Sequence, residues 1–340
     1  MLYVTTRSNR DAFTAQRVLR DNRAPDGGFF VPLRMSAFSP EEIESLREKT
    51  FGESVALVLN RLFNLQLSGW DIDFSIGRYP VRLVPLRQRI LGAEIWHNPQ
   101  WSYDWVVTNL VSSLRDTTTV PGNWMKIAVR IAVLFGIFGD LMRKGIESAD
   151  VSVVSGDFSA VVSAWYARAW GLPIRNIICS CNENKSVWDL ICQGQLRTDT
   201  LSIPTATPEA DVVIPENLER LILDAGGYEE VTRYLRCCRE GRSYFPGDSV
   251  LARLRSGLFV SVVSSSRIES TISGVYRTSQ YLMSPYSALA YAGLLDYRAK
   301  TGQTCHALVL SEKSPLADID VVARAMQMRA DELKKKILQE

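Results

Sequence analysis

The chain has few of the residues that build metal sites and disulfide frameworks. Its 340 residues include two histidines, at positions 97 and 306. They also include six cysteines, namely Cys179, Cys181, Cys192, Cys237, Cys238 and Cys305. The spacing of these cysteines matches neither a disulfide framework nor a zinc site. We therefore expect six reduced, mostly buried thiols and no bound metal.

Long apolar runs and an excess of one charge are also absent from the sequence. The 39 basic and 37 acidic residues give a net charge of +2, which indicates neither nucleic acid nor an anionic membrane as a partner. No apolar run reaches the ~20 residues that a membrane-spanning helix needs. The first residues resemble neither a signal peptide nor a transit helix. The sequence therefore predicts a cytoplasmic globular protein without nucleic-acid or membrane partners.

The N-terminal part of the chain has mainly helical patterns. The tetrapeptide SPEE at 39–42 combines an N-cap serine, a first-turn proline and two acids, which is typical of a helix start. It predicts a helix over 40–50, and a second helix is predicted over 53–63. A PDGG turn at 25–28 leads into a short predicted strand over 29–32.

The second half of the chain alternates between β-branched runs and helical patterns. The β-branched runs predict strands over 151–154, 176–179, 258–263 and 304–310. The helical patterns predict helices over 159–170, 267–278, 284–299 and 319–338. Strands that alternate with helices favour a parallel sheet covered on both faces, which is a three-layer α/β core.

A series of short motifs runs through the chain from residue 3 to about residue 315. The longest is Ala24–Pro32, which reads APDGGFFVP. Others are YVTTR at 3–7, EIWHNP at 94–99, GLPI at 171–174, NEN at 182–184, TPEAD at 207–211, NLER at 217–220 and SPYSA at 284–288. In sequence and in order these motifs resemble those of threonine synthases, which are pyridoxal-phosphate (PLP) enzymes of fold type II.

The resemblance implies a fold and a division into domains. The expected fold class is α/β, a reduced fold-type-II PLP architecture similar to the tryptophan synthase β subunit. We expect a helical threonine synthase-like N-terminal domain over 1–92 and a degenerate PLP-fold core over 93–340. Compared with the family, the small-domain segment is largely missing near 105–121.

The family's Schiff-base lysine has no counterpart in this sequence. The family motif that resembles residues 94–99 continues to the lysine that binds PLP. Counting from Glu94, that position holds Asp104, and a carboxylate cannot supply the amine of a Schiff base. The next lysine along the chain, Lys126, matches an arginine of the family's INWAR helix and is not expected to replace it. We therefore expect no catalytic residue of the family type and no covalently bound PLP.

The family's phosphate-binding loop is present in altered form. The family sequence (S/T)GNFG(N/D) corresponds here to Ser155, Gly156, Asp157, Phe158, Ser159 and Ala160. Asp157 replaces an asparagine and adds a charge that repels phosphate, while Ser159 replaces a glycine. Two interpretations of Asp157 stay open. It caps the helix that follows, or its carboxylate occupies the vacated anion site.

Two further positions are weak candidates for contact with a cofactor. Asn182 belongs to the segment that resembles the family's TNEN motif. Glu312 stands where the family's STAHP stretch has a small hydroxyl residue beside the pyridine ring. Lys313 follows it directly, which favours a solvated loop at this point rather than a cofactor contact.

The resemblance implies the family reaction, which converts O-phospho-L-homoserine and water to threonine and phosphate in amino-acid biosynthesis. Compared with the family, this chain lacks the Schiff-base lysine, most of the small-domain segment and an unaltered phosphate-binding loop. Their combined loss predicts a pseudoenzyme without PLP catalysis. Two alternatives remain open. One is a divergent lyase or a cofactor-free enzyme that uses the old cleft, and the other is an interaction or regulatory protein that binds an active enzyme.

An aromatic stretch follows the EIWHNP motif. Trp101, Tyr103 and Trp105 flank Asp104 and its neighbours, next to the place where the family segment is missing. Large apolar surfaces are rarely left bare. We therefore expect these side chains to cover the old cleft or to contact a protein partner or a second copy of the chain.

Overall fold

The computed structural model describes residues 1–34, 36–77, 81–96 and 123–339. The predictions made for Asp104, for the aromatic residues Trp101, Tyr103 and Trp105, and for the missing segment near 105–121 lie outside these residues. Within the described ranges, no helix combines the length and the apolar character that crossing a membrane requires.

The described strands form two sheets. Their bounds are β1 Leu2–Thr5, β2 Phe13–Thr14, β3 Phe30–Pro32, β4 Arg82–Arg87, β5 Ile90–Glu94, β6 Ala149–Val154, β7 Ile174–Cys181, β8 Leu258–Val262 and β9 Ala307–Ser311. The small sheet is antiparallel in the order β2-β1-β3, and the large sheet has the order β4-β5-β9-β6-β7-β8. Only β4, on one edge of the large sheet, runs antiparallel to its described neighbour.

Helices connect and cover the strands. The described helices are α1 Ala15–Arg20, α2 Pro40–Glu44, α3 Phe51–Phe63, α4 Gly69–Ile76, α5 Asn123–Arg143, α6 Ser159–Ala169, α7 Ser186–Trp188, α8 Leu218–Arg239, α9 Asp248–Gly257, α10 Ser265–Ser279, α11 Pro285–Thr301, α12 Ile319–Met326 and α13 Ala330–Gln339. Short turns of 3₁₀ helix lie at Ser45–Arg47, Pro208–Ala210 and Pro315–Asp318, and a π-helical turn lies at Asp189–Gln193.

The large sheet is buried between two helical layers. Along β7, Ile177 and Cys179 pack into the core that contains α5 and α6. Ile178 points to the other face and packs with α10 and α11. Successive side chains of a strand alternate between faces, so a central strand with apolar residues on both sides needs cover on both. The predicted three-layer α/β core is confirmed.

The N-terminal part packs against the long helix α5. Helix α3 lies along α5, and the hydroxyl of Tyr3 in β1 donates to the Leu62 carbonyl at 2.6 Å. The ring of Tyr3 meets that of Trp124 in α5 edge to face at 5.8 Å. The predicted boundary at 92/93 falls within β5, which belongs to the large sheet. The division into two domains stays a prediction.

Two of the predicted helices are broken in the structure. The predicted helix over 40–50 ends at Glu44 and continues as a 3₁₀ turn, because the Ser45 hydroxyl donates to the Glu42 carbonyl and competes with helix extension. The predicted helix over 319–338 divides into α12 and α13 at Gln327, which adopts a left-handed φ of 54°. A left-handed residue closes a helix even where it is not glycine.

The six cysteines are free, but the prediction that most are buried is wrong. Cys179 and Cys181 are buried in β7, Cys192 is exposed, and the remaining three are intermediate. The error arises because Cys192 lies on the exposed side of its π-helical turn, and Cys237 and Cys238 lie near the exposed end of α8. Sequence spacing excludes a framework but does not fix which face of a helix a thiol occupies.

The exposure of the thiols predicts an ordered pattern of chemical reactivity. We expect titration with a thiol reagent in denaturant to find six free thiols, since all six are free in the fold. In native buffer we expect Cys192 to react first and Cys179 and Cys181 to stay unreactive, because reagents reach exposed thiols first. Mass spectrometry of the labelled peptides measures the order. A native disulfide, or labelling of Cys179 before Cys192, would contradict this expectation.

Candidate functional site

A cavity of about 310 Å³ opens at the carboxyl ends of β6 and β9. The carboxyl edge of a parallel sheet is where α/β folds place their ligands. The polar residues that line the cavity are Lys126, Arg130, Ser155, Asp157, Ser159, Glu209, Tyr286, Glu312 and Lys313. The altered loop 155–160 therefore forms one wall, and Glu312 contributes to another.

The loop 155–160 turns sharply between β6 and α6 and uses several of its own amides. The Ser155 N–H donates to the Ser180 carbonyl at 2.9 Å, and the Phe158 N–H donates to the Ser155 carbonyl at 2.7 Å. Phe158 adopts a left-handed φ of 71° at the N-cap position of α6. These N–H groups are therefore not available to an anion in this conformation.

The Asp157 carboxylate binds the first residue of the helix α6 that follows the loop. Its Oδ1 accepts hydrogen bonds from the Ser159 N–H at 2.9 Å and from the Ser159 hydroxyl at 2.6 Å. This is a capping contact, made from the residue before the N-cap position. A carboxylate at a helix N-terminus is favoured by the unpaired first-turn amides and by the helix dipole. The same amides are those that a phosphate would use.

Glu312 is paired with an arginine on the cavity wall. Its carboxylate accepts from the Arg130 guanidinium, and both side chains are mostly buried. The expectation of a solvated loop at this position is wrong. Lys313 pairs with Glu209 across the cavity and lies 4.7 Å from the centre of the Tyr286 ring. Glu312 is therefore held by an ion pair, and Lys313 by an ion pair and a cation–π contact.

Lys126 and Arg130 were not identified as site residues from the sequence. They stand four positions apart on α5, so they lie on one face of the helix, and both line the cavity. The signal was the i, i+4 spacing of two bases in the mostly apolar first half of the helix. Among the described residues, Lys126 and Lys313 are the amines on the cavity wall.

Asn182 lies outside the cavity lining. Its side-chain amide donates to the hydroxyls of Thr205 and Thr207 and to Asp211, at 2.8–3.0 Å. This network fastens the end of β7 to the segment 205–211, which carries Glu209. Asn182 therefore acts on the site through the position of that segment.

Asn217 and Arg220 tie the loop to the N-terminal part of the chain. The Asn217 backbone and side-chain amides both donate to the Asp157 carbonyl, at 3.2 and 3.0 Å. Arg220 donates to the Asn217 side chain and to the Phe30 carbonyl of β3. Burial lowers the pKa of Arg220 to about 10. The NLER motif thus connects β3 with the backbone of the loop at the cavity.

Comparison with known proteins gives a consistent result. The N-terminal family model for threonine synthase matches residues 2–74. Threonine synthase-like 1 of Macaca fascicularis is 30% identical over 176 residues, which cover 49% of this chain and 24% of that protein. Threonine synthase of Pseudomonas aeruginosa is 27% identical over 178 residues, covering 52% of this chain and 38% of that protein. The matched part thus spans about a quarter of the threonine synthase-like 1 protein and under half of the bacterial one.

Solved structures extend the similarity over the whole fold. PLP-bound threonine synthase from Brucella melitensis superposes with a TM-score of 0.85 at 18% identity, covering 96% of this chain and 91% of that one. Threonine synthase from yeast gives a TM-score of 0.83 at 16% identity, covering 96% and 90%. The fold is therefore that of the fold-type-II PLP enzymes. The family model over 2–74 and the sequence matches over about half of the chain confirm the resemblance to threonine synthases that the motifs predicted.

Proposed function

We propose that this chain is a threonine synthase homologue that does not perform the family's PLP catalysis, and is thus a pseudoenzyme. The observation that carries the proposal is the Asp157 carboxylate, which accepts the first-turn N–H of α6. In the family's loop this N-terminus faces the phosphate. Here a residue of the chain supplies the negative charge itself.

Two carboxylates of the cavity lining oppose a cofactor that bears a phosphate dianion, and two of the three cations that also line it, Arg130 and Lys313, are already paired with Glu312 and Glu209. Asp157 and Glu312 both line the cavity. A like charge within a few ångströms of a bound anion costs on the order of 1 kcal/mol even at the dielectric of a protein surface. The Ser155 and Phe158 amides of the loop bond within the protein and offer no compensating donors. The described residues therefore do not fit the phosphate end of PLP.

The Glu312 position also departs from the family. Glu312 stands at the position of the family's hydroxyl residue beside the pyridine ring, and its carboxylate is paired with Arg130. A carboxylate that already shares its charge with a guanidinium is a weaker partner for a ring nitrogen. The position of the family lysine holds Asp104, which removes the covalent bond as a source of affinity.

Reductive trapping tests the proposal. We expect the full chain, mixed with PLP and reduced with borohydride, to give sparse labelling spread over exposed lysines such as Lys334 and Lys335. No turnover of O-phospho-L-homoserine is expected. A threonine synthase that carries the family lysine serves as the positive control. Mass spectrometry maps the adducts. A stoichiometric adduct at one internal lysine, together with turnover, would overturn the proposal.

A divergent enzyme is the second candidate, and the lysines of the cavity favour it. Lys126 and Lys313 place primary amines at the cavity wall, and a lysine amine can form a Schiff base when suitably positioned. The same trapping experiment on Lys126→Arg and Lys313→Arg separates the two candidates. An adduct that disappears in one of these variants would identify the replacement lysine, and a uniform pattern supports the pseudoenzyme.

The proposal includes the cytoplasm as the location of the protein. Support comes from the six free cysteines, since thiols stay reduced in that compartment. Loss of catalysis with retention of the fold is also compatible with a regulatory protein that binds an active enzyme. Co-purification with an active threonine synthase from the native host would support that role.

A further inference from the structure

A group of basic side chains lies at the amino edge of the large sheet, opposite the cavity. It consists of Arg87, Arg89, Arg175, Arg298 and Lys300, and we call it the basic face. Arg89 precedes β5, Arg175 is near the start of β7, and Arg298 and Lys300 lie in the last turn of α11. The strand β6, which is six residues long, separates this edge from the loop 155–160 by about 20 Å.

The side chains of the basic face are exposed and lack acidic partners. Arg87, Arg89, Arg175 and Lys300 are exposed, and Arg298 is half-buried. Within the described ranges none of the five forms an ion pair, whereas seven ion pairs elsewhere join an arginine to a carboxylate at 2.6–3.2 Å. Arg298 donates instead to the carbonyls of Cys305 and Arg89, at 2.6 and 3.4 Å.

One carboxylate lies beneath the basic face and does not neutralise it. Asp150 at the start of β6 is 1% exposed, accepts from the Asn176 amide at 2.7 Å, and has a second oxygen without a described hydrogen-bond partner. Burial raises the pKa of Asp150, and the nearby Arg175 and Arg298 oppose that shift. Burial likewise lowers the pKa of Arg298, and Arg87 adds to that decrease. Of the five cations, Arg175 and Arg298 thus act on this one buried carboxylate.

The width of the basic face indicates an extended partner. From Arg89, just before β5, to Arg175 on β7, the sheet order crosses β9 and β6, and three strand spacings amount to about 14 Å. The backbone positions of the basic face are thus spread along the sheet edge, and a partner that pairs with all of them at once has to be extended. An extended peptide of about four or five residues covers this distance, at ~3.3 Å per residue.

The composition of the face favours a peptide over a nucleic acid. Proteins that bind single strands stack bases on exposed aromatic rings. The large exposed aromatic side chains of the described residues are Trp70, Phe74 and Phe245, and none belongs to the elements of the basic face. Guanidinium groups pair with carboxylates in a bidentate manner. We propose that the basic face binds an extended acidic segment, rich in Asp and Glu, of a partner protein.

A charge-neutralising variant tests this proposal on the full chain. The test variant is Arg87→Gln/Arg89→Gln/Arg175→Gln, which spares Arg298 because its guanidinium holds the Cys305 carbonyl. The matched control is Arg236→Gln/Arg239→Gln/Arg277→Gln, which removes the same charge from exposed positions on α8 and α10. The probe is a fluorescein-labelled octaglutamate peptide, and anisotropy at low and at physiological salt measures its binding. Octathymidylate and inorganic phosphate serve as competitors.

The outcomes distinguish binding of the acidic peptide at the basic face from nonspecific electrostatic binding to the rest of the surface. We expect the test variant to bind the probe at least about tenfold more weakly than the wild type, since three exposed ion pairs are lost. We expect the control variant to stay within about twofold and binding to weaken with salt. Equal loss in both variants, no binding by the wild type, or stronger competition by octathymidylate than by unlabelled octaglutamate would each overturn the proposal. Circular dichroism confirms that both variants are folded.

Discussion

Replacing Arg220 with alanine is expected to lower the free energy of unfolding by about 3–5 kcal/mol. The guanidinium is fully buried, donates to Asn217 and to the Phe30 carbonyl, and lies 4.6 Å from the centre of the Phe29 ring. Truncation removes these donors and leaves a void between β3 and α8. Both losses are costly in an interior that is packed to the density of a crystal.

Denaturation by urea, followed by circular dichroism, measures this effect. Arg236→Ala on the exposed part of the same helix is the control, and we expect it to change the free energy by less than about 0.5 kcal/mol. Arg220→Lys keeps the charge but lacks the planar guanidinium with its several N–H donors. We therefore expect a decrease in the free energy of unfolding between those of Arg220→Ala and the control. A change in Arg220→Ala no larger than that of the control would show that the buried guanidinium does not stabilise the fold.

The parts of the fold that follow from local chemistry could be predicted from the sequence. The start of α2 was predicted from Ser39 and Pro40, and the structure shows a complete capping box with Glu42. The strand β7 was predicted from its apolar run, although it extends from Ile174 to Cys181. Local signals of this kind act over three or four residues, which is the range over which capping and strand propensity operate.

The end of α12 depends on a conformation that the sequence does not indicate. Gln327 adopts the left-handed region, and its N–H donates to the Ala323 and Arg324 carbonyls. Glycine or asparagine usually marks such a position, and here neither is present. The continuous amphipathic pattern over 319–338 therefore predicted one helix where the structure has two.

The site residues that belong to a contiguous motif could be predicted from the sequence. Those that only tertiary packing brings to the cavity were missed. The loop 155–160 was identified because its residues are contiguous and resemble a known motif. Lys126 and Arg130 reach the cavity only because α5 packs against α6 in this orientation. The pairing of Lys313 with Glu209 joins segments far apart in the chain. Such contacts follow from the tertiary arrangement, which residue patterns do not specify.

Removing both carboxylates from the cavity is expected to increase the affinity for noncovalent PLP at least about thirtyfold. In the double variant Asp157→Asn/Glu312→Thr, the Ser159 N–H loses its charged acceptor, and Arg130 loses its carboxylate partner. Each substitution removes a like charge that costs on the order of 1 kcal/mol beside a dianion. Arg130 then adds an attractive charge. Titration calorimetry, or the visible absorbance of the cofactor, measures the affinity.

A control with the same net charge tests whether position matters. Asp199→Asn/Glu229→Gln removes two carboxylates from exposed positions away from the cavity, and we expect it to change the PLP affinity by less than about twofold, because solvent and salt screen distant charges. The single variants Asp157→Asn and Glu312→Thr should each give about a fivefold increase if the two charges act independently. If the double variant binds PLP no better than the wild type, the carboxylates do not exclude the cofactor. The shape of the loop, with its Ser155 and Phe158 amides bonded internally, would then be the remaining barrier.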